Sequence, residues 1–284
     1  MKNSSLSNKA LLVSINISQW TGRKLDKKAT DSTNKAYKAK SNAGRYNKKL
    51  LPNAKELDLV QSVVGQTRQY FYKQTLPWMS DGSRILNSKN YMNFTTEIRK
   101  FTSDFQSSVD SFLANYPLLK QNAKNSLGDL YDESEYPTVE EMRNKFKIEI
   151  NFLPLPNVSD FRIDISEAEK KMFINKMKEI ENRAVKEVWS RLHTVVSSAI
   201  SKLEETDPIF RNSLIGNIEE MISMLPRLNI SEDQELDLKA QELKNILSKY
   251  SIESLRNSKS KRELAAKELK EIESKMSSFM GEIK

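Results

Sequence analysis

Between Tyr91 and Tyr116 the sequence reads YMNFTTEIRKFTSDFQSSVDSFLANY. Its large apolar side chains recur every three or four residues, at Tyr91, Phe94, Ile98, Phe101, Phe105, Val109, Phe112 and Tyr116. This spacing places them on one face of an α-helix about 39 Å long, with polar residues on the opposite face. We therefore predict that this aromatic helix organises a hydrophobic core and ends at Pro117.

The composition of the 284-residue chain favours long helices over a turn-rich fold, because it contains only 7 glycines and 8 prolines. Cysteine is absent, which excludes disulfides and thiolate chemistry and fits a reducing compartment. No apolar run approaches the roughly 18–20 residues of a membrane span. The run at Ala10–Val13 is too short for a signal peptide. We expect a soluble, cytoplasmic protein.

Helical spacing extends to both sides of the aromatic helix. Residues 25–43 are predicted to form a helix that ends at Gly44. One face of this helix would carry small side chains that allow close packing, namely Leu25, Ala29, Ser32, Ala36, Ala39 and Ala43. A second helix opens at Pro52 and Asn53 and ends near Leu76. Its inner stripe is Leu57, Val60, Val64, Thr67 and Phe71. A shorter helix is predicted at 118–127.

Alternation with a period of two predicts three strands, at 11–17, 146–152 and 161–165. Each would bury one face, and together they could make a small antiparallel sheet. The residues Thr138 and Glu141 have the spacing of a capping box, which predicts a short helix before the second strand.

The C-terminal part reads as a series of helices. A capping box at Ser166 and Glu169 opens the longest one, to about Glu205, and Asp207-Pro208 opens the next, which ends at Pro226. Ser231 with Gln234 is predicted to cap a third, which would pair as a hairpin with a last helix at 259–280. That last helix has heptad spacing, a weak coiled-coil pattern.

We predict a mostly α protein of the α+β class, a helical bundle with a small antiparallel sheet followed by a C-terminal array of long helices. An α+β core domain with the basic N-terminal helix would occupy residues 1–165. A helical domain with a coiled-coil-like hairpin would occupy residues 166–284.

The positive charge is concentrated in residues 21–50, whose net charge of +8 equals that of the whole chain. The ten cations are Arg23, Lys24, Lys27, Lys28, Lys35, Lys38, Lys40, Arg45, Lys48 and Lys49. Trp20, Tyr37 and Tyr46 are interleaved with them, a mixture typical of phosphate contacts with base stacking. We interpret the ten cations with Tyr37 and Tyr46 as a nucleic-acid-binding site. The same charges could instead dock on an acidic protein, or simply solvate an exposed helix.

No constellation of residues indicates catalysis. The single histidine, His193, lies mid-helix and cannot build a histidine-rich metal site alone. The acidic loop Asp129, Asp132, Glu133 and Glu135 matches no EF-hand spacing, so we expect a solvated loop. Glu149, Asp160 and Asp164 could hold Mg²⁺ in a nuclease, but no following lysine completes the set. We predict no metal, no cofactor and no enzymatic activity, with a metal-dependent nuclease as the alternative.

Four strings carry a resemblance to a known family: ISQWTGRKLDKK at 17–28, NAGRYNKKLLP at 42–52, TLPW at 75–78 and LPNVSDFR at 155–162. The chain resembles an uncharacterised family encoded by bacteriophages and mobile elements, whose genes often lie near a MoxR-type AAA+ ATPase and a von Willebrand A-domain protein. That family has no established activity, so the resemblance implies no catalytic residues. It implies a phage accessory protein in the host cytoplasm, with a motor ATPase as a candidate partner.

Two functions therefore stay open. The first is a non-catalytic accessory protein that binds nucleic acid through residues 21–50. The second is an adaptor or scaffold, with an AAA+ ATPase as a candidate partner, which assembles through its C-terminal helices and could form a homo-oligomer. The two differ in whether binding to a polyanion weakens with salt.

Overall fold

The computed structural model describes residues 6–79, 82–157, 166–205 and 213–282. The strands are β1 (Ala10–Ser18), β2 (Arg23–Leu25), β3 (Asn47–Lys49), β4 (Leu76–Pro77), β5 (Ser83–Asn87) and β6 (Lys147–Pro154). The helices are α1 (Lys27–Ala36), α2 (Lys55–Gln74), α3 (Tyr91–Leu127), α4 (Val139–Arg143), α5 (Glu167–Leu203), α6 (Ser213–Leu228), α7 (Gln234–Leu247), α8 (Ile252–Asn257) and α9 (Lys259–Glu282). The predicted class, mostly α with a small antiparallel sheet, is confirmed.

The chain forms two compact units, each assembled from segments that lie far apart in sequence. The first, which we call the basic unit, consists of Ile15–Phe71 and Thr95–Ile150. The second, the helical unit, consists of Met1–Ser14, Tyr72–Phe94 and Asn151–Lys284. This division differs from the predicted boundary at residue 165. Sequence periodicity reveals individual elements, but it does not show which distant segments pack together.

The larger sheet has the strand order β4-β5-β1-β6. Antiparallel pairing places Ala10 of β1 opposite Asn87 of β5, and Leu76 of β4 opposite Ile85 of β5. The strands predicted at 11–17 and 146–152 are confirmed as β1 and β6. The strands β4 and β5 were not predicted, because they are too short to show a clear alternation. The strand predicted at 161–165 lies outside the described residues.

Strand β1 differs from its prediction in its burial. Leu12 and Val13 point to opposite faces, yet both are buried, as is Ala10. The first half of the strand is therefore covered on both sides, whereas a single buried face was predicted.

The core of the basic unit forms between α2 and α3. The stripe predicted on α2 is confirmed, since Leu57, Val60, Val64, Thr67 and Phe71 are all buried. Helix α2 begins at Lys55 rather than at Pro52 and Asn53. The reason is that Asn53 has a φ of 62°, a left-handed conformation that a right-handed helix cannot include.

The aromatic stripe of α3 is largely confirmed as core. Phe94, Ile98, Phe105, Val109, Phe112 and Tyr116 are buried, while Tyr91 and Phe101 are half-buried. The predicted end at Pro117 is wrong, because one continuous helix runs through this proline to Leu127 and absorbs the helix predicted at 118–127. Pro117 is exposed, whereas Tyr116 before it and Ala123 after it are buried in the same cluster. That packing offsets the hydrogen bond that a proline removes.

The helical unit is built around α5. Its inner face buries Ile180, Ala184, Val188, Leu192 and Leu203. The capping boxes predicted at Ser166 and Thr138 are both present, on α5 and α4 respectively. Helix α9 packs on α7, as the predicted hairpin requires, and more extensively on α5.

Two helix boundaries of the helical unit differ from their predictions. Helix α6 contains Pro226 and ends at Leu228, and the predicted Asp207-Pro208 start lies outside the described residues. Helix α7 is capped by Asp233, whose carboxylate accepts a hydrogen bond from the Glu235 amide, and not by Ser231.

No helix in the described part of the chain combines the length and apolarity that crossing a membrane demands.

Candidate nucleic-acid interface

The basic segment 21–50 forms a strand, a short helix, a loop and a second strand. The predicted single helix over 25–43 is therefore wrong: α1 covers only Lys27–Ala36. Asp26 caps its start, since its Oδ1 accepts a hydrogen bond of 2.9 Å from the Ala29 amide. Just after its end, Lys38 adopts a left-handed φ of 51°, which stops the helix.

The strands β2 and β3 pair antiparallel and close the segment into a loop. Arg23 lies opposite Lys49, and Lys24 lies opposite Lys48. The Asp26 amide continues the ladder by donating to the Tyr46 carbonyl at 2.9 Å. Residues that directly oppose each other lie on the same side of a sheet. Arg23 and Lys49 therefore share one side of the strand pair, and Lys24 and Lys48 share the other.

Helix α1 is held to the following loop by two polar residues. Asn34 donates from Nδ2 to the Ser41 and Gly44 carbonyls at 3.2 and 3.4 Å. The Thr30 hydroxyl accepts a 2.9 Å hydrogen bond from the Tyr46 amide. Thr30 and Asn34 are the buried residues of this helix. The predicted packing face is therefore wrong: Leu25, Ser32, Ala36, Ala39 and Ala43 are exposed, and Ala29 is half-buried.

Lys48 is buried in an ion cluster and is not part of the exposed surface. Its Nζ lies 3.0 Å from Asp26 Oδ2 and 2.7 Å from Glu135 Oε2, and it donates to the Leu130 carbonyl at 2.6 Å. The Lys48 ammonium therefore contacts two carboxylates and one carbonyl. The assignment of Lys48 to the binding site is therefore corrected. Lys48 attaches the basic segment to the loop at 130–135.

The other cations of the segment are exposed. Lys24 is 3.7 Å from Glu135, with about half of its side chain accessible. Eight cations make no ion pair with any residue that the structure describes: Arg23, Lys27, Lys28, Lys35, Lys38, Lys40, Arg45 and Lys49. Elsewhere in the chain lysines commonly pair with neighbouring carboxylates, as Lys100 does with Glu97 at 2.6 Å. The segment thus carries a concentration of unneutralised positive charge.

The aromatic residues of the segment differ in their accessibility. Tyr37 is 81% exposed and Tyr46 is 41% exposed, so both rings are available for stacking. Trp20 is half-buried, and its ring lies 6.3 Å from that of Phe112 and 6.2 Å from that of Tyr116. Trp20 is therefore mainly part of the core, although one portion of it reaches the surface.

The acidic loop uses its carboxylates within the protein. Glu135 pairs with Lys48, and Glu133 pairs with Lys120. The pKa of Glu133 is lowered, first by that lysine and then by the hydroxyl of Tyr131. Asp132 accepts hydrogen bonds from Ser134. Within the described ranges, no three histidine or acidic side chains come together in a way that could hold a metal ion.

The other residues considered for catalysis or metal binding lie outside the basic segment in the sequence. His193 Nδ1 is 3.2 Å from Ser197 Oγ, and Nε2 is 3.7 Å from Glu273 on α9. These contacts join α5 to α9, which fits a structural role, and the absence of a catalytic histidine stays a prediction. Glu149 pairs with Lys147, which lowers its pKa. Asp160 and Asp164 lie outside the described residues.

Comparisons with protein-family models, with curated proteins and with solved structures find no match to this chain. The fold and the site are therefore assigned from geometry alone. They define a mostly α protein that presents an anchored segment of exposed, unpaired cations.

Proposed function

We propose that this chain binds nucleic acid through the exposed cations of segment 21–50, without catalysing a reaction. One observation carries the proposal: eight exposed cations of this segment have no ion-pair partner in the described chain. Of its two acidic residues, Asp26 is already paired with Lys48. A phosphate backbone would supply the missing negative charges.

Electrostatic repulsion within the strand pair of β2 and β3 also supports the proposal. Arg23 and Lys49 are directly opposed, and like charges at such positions destabilise a pair of strands. Bound phosphates would remove this repulsion, because each would sit between two cations. A site in which positive charges are held together is typical of an anion-binding surface.

The segment is also held in place before any ligand binds. The Lys48 cluster fixes β3 and the start of α1, and Asn34 fixes the loop at 41–44. Pre-organised cations lose less conformational entropy on binding than cations on a mobile tail. Tyr37 and Tyr46 add exposed rings on which bases can stack.

A charge-matched pair of variants tests the proposal. In the test variant, Lys27, Lys28, Lys35 and Lys49 become Gln, which removes four unpaired cations. In the control variant, four lysines outside the segment become Gln, namely Lys100, Lys170, Lys176 and Lys202, each of which is paired with a glutamate three residues away. Binding is measured by fluorescence anisotropy with labelled single-stranded and duplex DNA at low salt.

The two variants have the same net charge, so a non-specific effect of charge would weaken both equally. We expect the test variant to lose most of its affinity and the control to keep the affinity of the unmodified chain. Equal affinities for the two variants would contradict the assignment of the site. Undetectable binding by the unmodified chain would contradict the function itself.

A second candidate function, an adaptor or scaffold that acts through the C-terminal helices, is favoured by a different observation. On α5, Met172 is 71% exposed and Ile174 is 52% exposed. The resemblance to the phage family adds an AAA+ ATPase as a partner and the host cytoplasm as the place of action. Changing Met172 and Ile174 to Ser should abolish capture of such an ATPase and leave DNA binding intact.

A further inference from the structure

A surface hollow of about 610 Å³ lies beside the basic segment, within the basic unit. It is lined by the end of β1, the turn that follows it and the residues after α4, including Gln19, Trp20, Thr21, Asn144 and Lys145. Thr21 is two residues from Arg23, so the chain places these two Cα atoms within about 7 Å of each other. The hollow therefore adjoins the strand pair that carries Arg23 and Lys49.

The Gln19 side chain gives the hollow an unused hydrogen-bonding group. Its Oε1 is buried, and no donor in the described chain bonds to it. A buried acceptor without a partner is costly, because it has lost its water and gained nothing in return. Rotation of the amide toward the hollow would let this group bond to a ligand there.

Two other residues that line the hollow, Trp20 and Lys145, could also contact a ligand. The Trp20 ring is supported from behind by Phe112 and Tyr116, and it is half-buried, so part of it faces the surface. Lys145 is exposed and makes no ion pair with a described residue. A supported aromatic ring, an amide oxygen without a donor and a cation together suit a planar heterocycle that carries N–H donors and is linked to a phosphate.

We propose that this hollow receives one unstacked base of a single-stranded nucleic acid. Trp20 contacts the base, and the Gln19 amide bonds its edge. The phosphates on either side contact Lys145, Arg23 and Lys49. A base in a duplex is stacked and paired and cannot enter, so the hollow gives a preference for single strands. This inference rests on the proposed function and specifies its substrate class.

The test compares a labelled mixed-sequence oligonucleotide with its duplex, using the full chain and Gln19 variants. Gln19→Ala should weaken single-strand binding about three- to tenfold, the loss expected for one hydrogen bond. It should leave duplex binding unchanged. Gln19→Leu keeps most of the side-chain volume and should show the same loss. Gln69→Ala, on the exposed face of α2, is the matched control, and melting curves verify that all variants fold.

Tryptophan fluorescence supplies an independent measurement. Trp78 and Trp189 are buried, so quenching by a stacked base would come from Trp20. We expect quenching by the single strand and none by the duplex.

The outcomes separate this inference from the proposed function. If both DNA forms bind equally and Gln19→Leu binds as the unmodified chain does, the hollow is not a base site. Nucleic-acid binding through the exposed cations of segment 21–50 would still be supported. If neither form binds, both proposals are overturned.

Discussion

Lys48 and Lys49 are neighbours in sequence, but their environments are opposite. Lys48 is buried between two carboxylates, whereas Lys49 is exposed and faces Arg23 across the strand pair. Sequence alone could not separate them, because the partner Glu135 lies far along the chain. The alternation of a strand did contain a clue, since adjacent residues point to opposite sides. The strand Asn47–Lys49 was not predicted, however, so this alternation was not recognised.

Replacing each lysine separately should show this difference. Lys48→Gln leaves two carboxylates without their common cation, so we expect a loss of about 3 kcal/mol in the free energy of unfolding. Lys49→Gln should change it by less than about 0.5 kcal/mol, as is usual at exposed positions. Denaturant melts measure both values. Similar stabilities for the two variants would show that the Lys48 cluster does not anchor the segment.

The same cluster makes stability depend on pH. The pKa of Asp26 is lowered, first by the Ala29 amide and then by Lys48. Burial acts to lower the pKa of Lys48, but Glu135 and Asp26 outweigh it and the pKa is raised. A lowered carboxyl pKa stabilises the fold above the unfolded pKa, and this contribution is lost as pH falls through the folded value. A raised lysine pKa stabilises the fold below its unfolded value, and this contribution is lost at higher pH.

We therefore expect the cluster to be fully stabilising from about pH 5 to pH 9 and to weaken below about pH 4 and above about pH 10.5. Thermal melts of the unmodified chain and of Lys48→Gln, followed by circular dichroism, measure the difference at each pH. The difference in stability between the two proteins should be largest from about pH 5 to pH 9, and it should shrink at lower and at higher pH. A difference that is constant from acid to alkali would refute the ionic origin of the stabilisation.

At the scale of elements, the spacing of apolar residues was sufficient to predict the buried face of a helix that is long and buries only one side. The buried stripe of α2 and most of that of α3 follow directly from their spacing. Helix ends were harder to predict, because they depend on single residues. Pro117 is tolerated inside α3 since the surrounding turns are buried, and α1 stops early since Lys38 turns left-handed. Neither effect is visible in a pattern of apolar residues.

Two phenylalanines on α3 test its role as core. Phe105 is buried against Phe146, and its replacement by Ala should cost about 3–5 kcal/mol of unfolding free energy. Phe101 is half-buried beside Tyr70, and its replacement should cost only about 1–2 kcal/mol. Urea melts with unchanged slopes would make the comparison valid. Equal costs would mean that the stripe is not buried as described.

At the scale of the whole molecule, the sequence indicated the fold class but not the division into units. Each unit is assembled from segments that are separated in the sequence, and no local pattern encodes that choice. The location of the positive charge was predictable by counting residues. The sequence could not predict which cations remain unpaired, because pairing depends on the folded positions of distant carboxylates such as Glu135.

The most direct test of nucleic-acid binding by segment 21–50 is the salt dependence of its affinity. Each phosphate that a cation neutralises in a duplex contributes about −0.9 to the slope of log K against log salt. One duplex cannot contact all eight unpaired cations, so we predict a slope of about −3 to −5 for the unmodified chain. The variant with Gln at Lys27, Lys28, Lys35 and Lys49 should give a clearly flatter slope, and the charge-matched control should not. A slope near zero, or identical slopes for the two variants, would contradict the proposal.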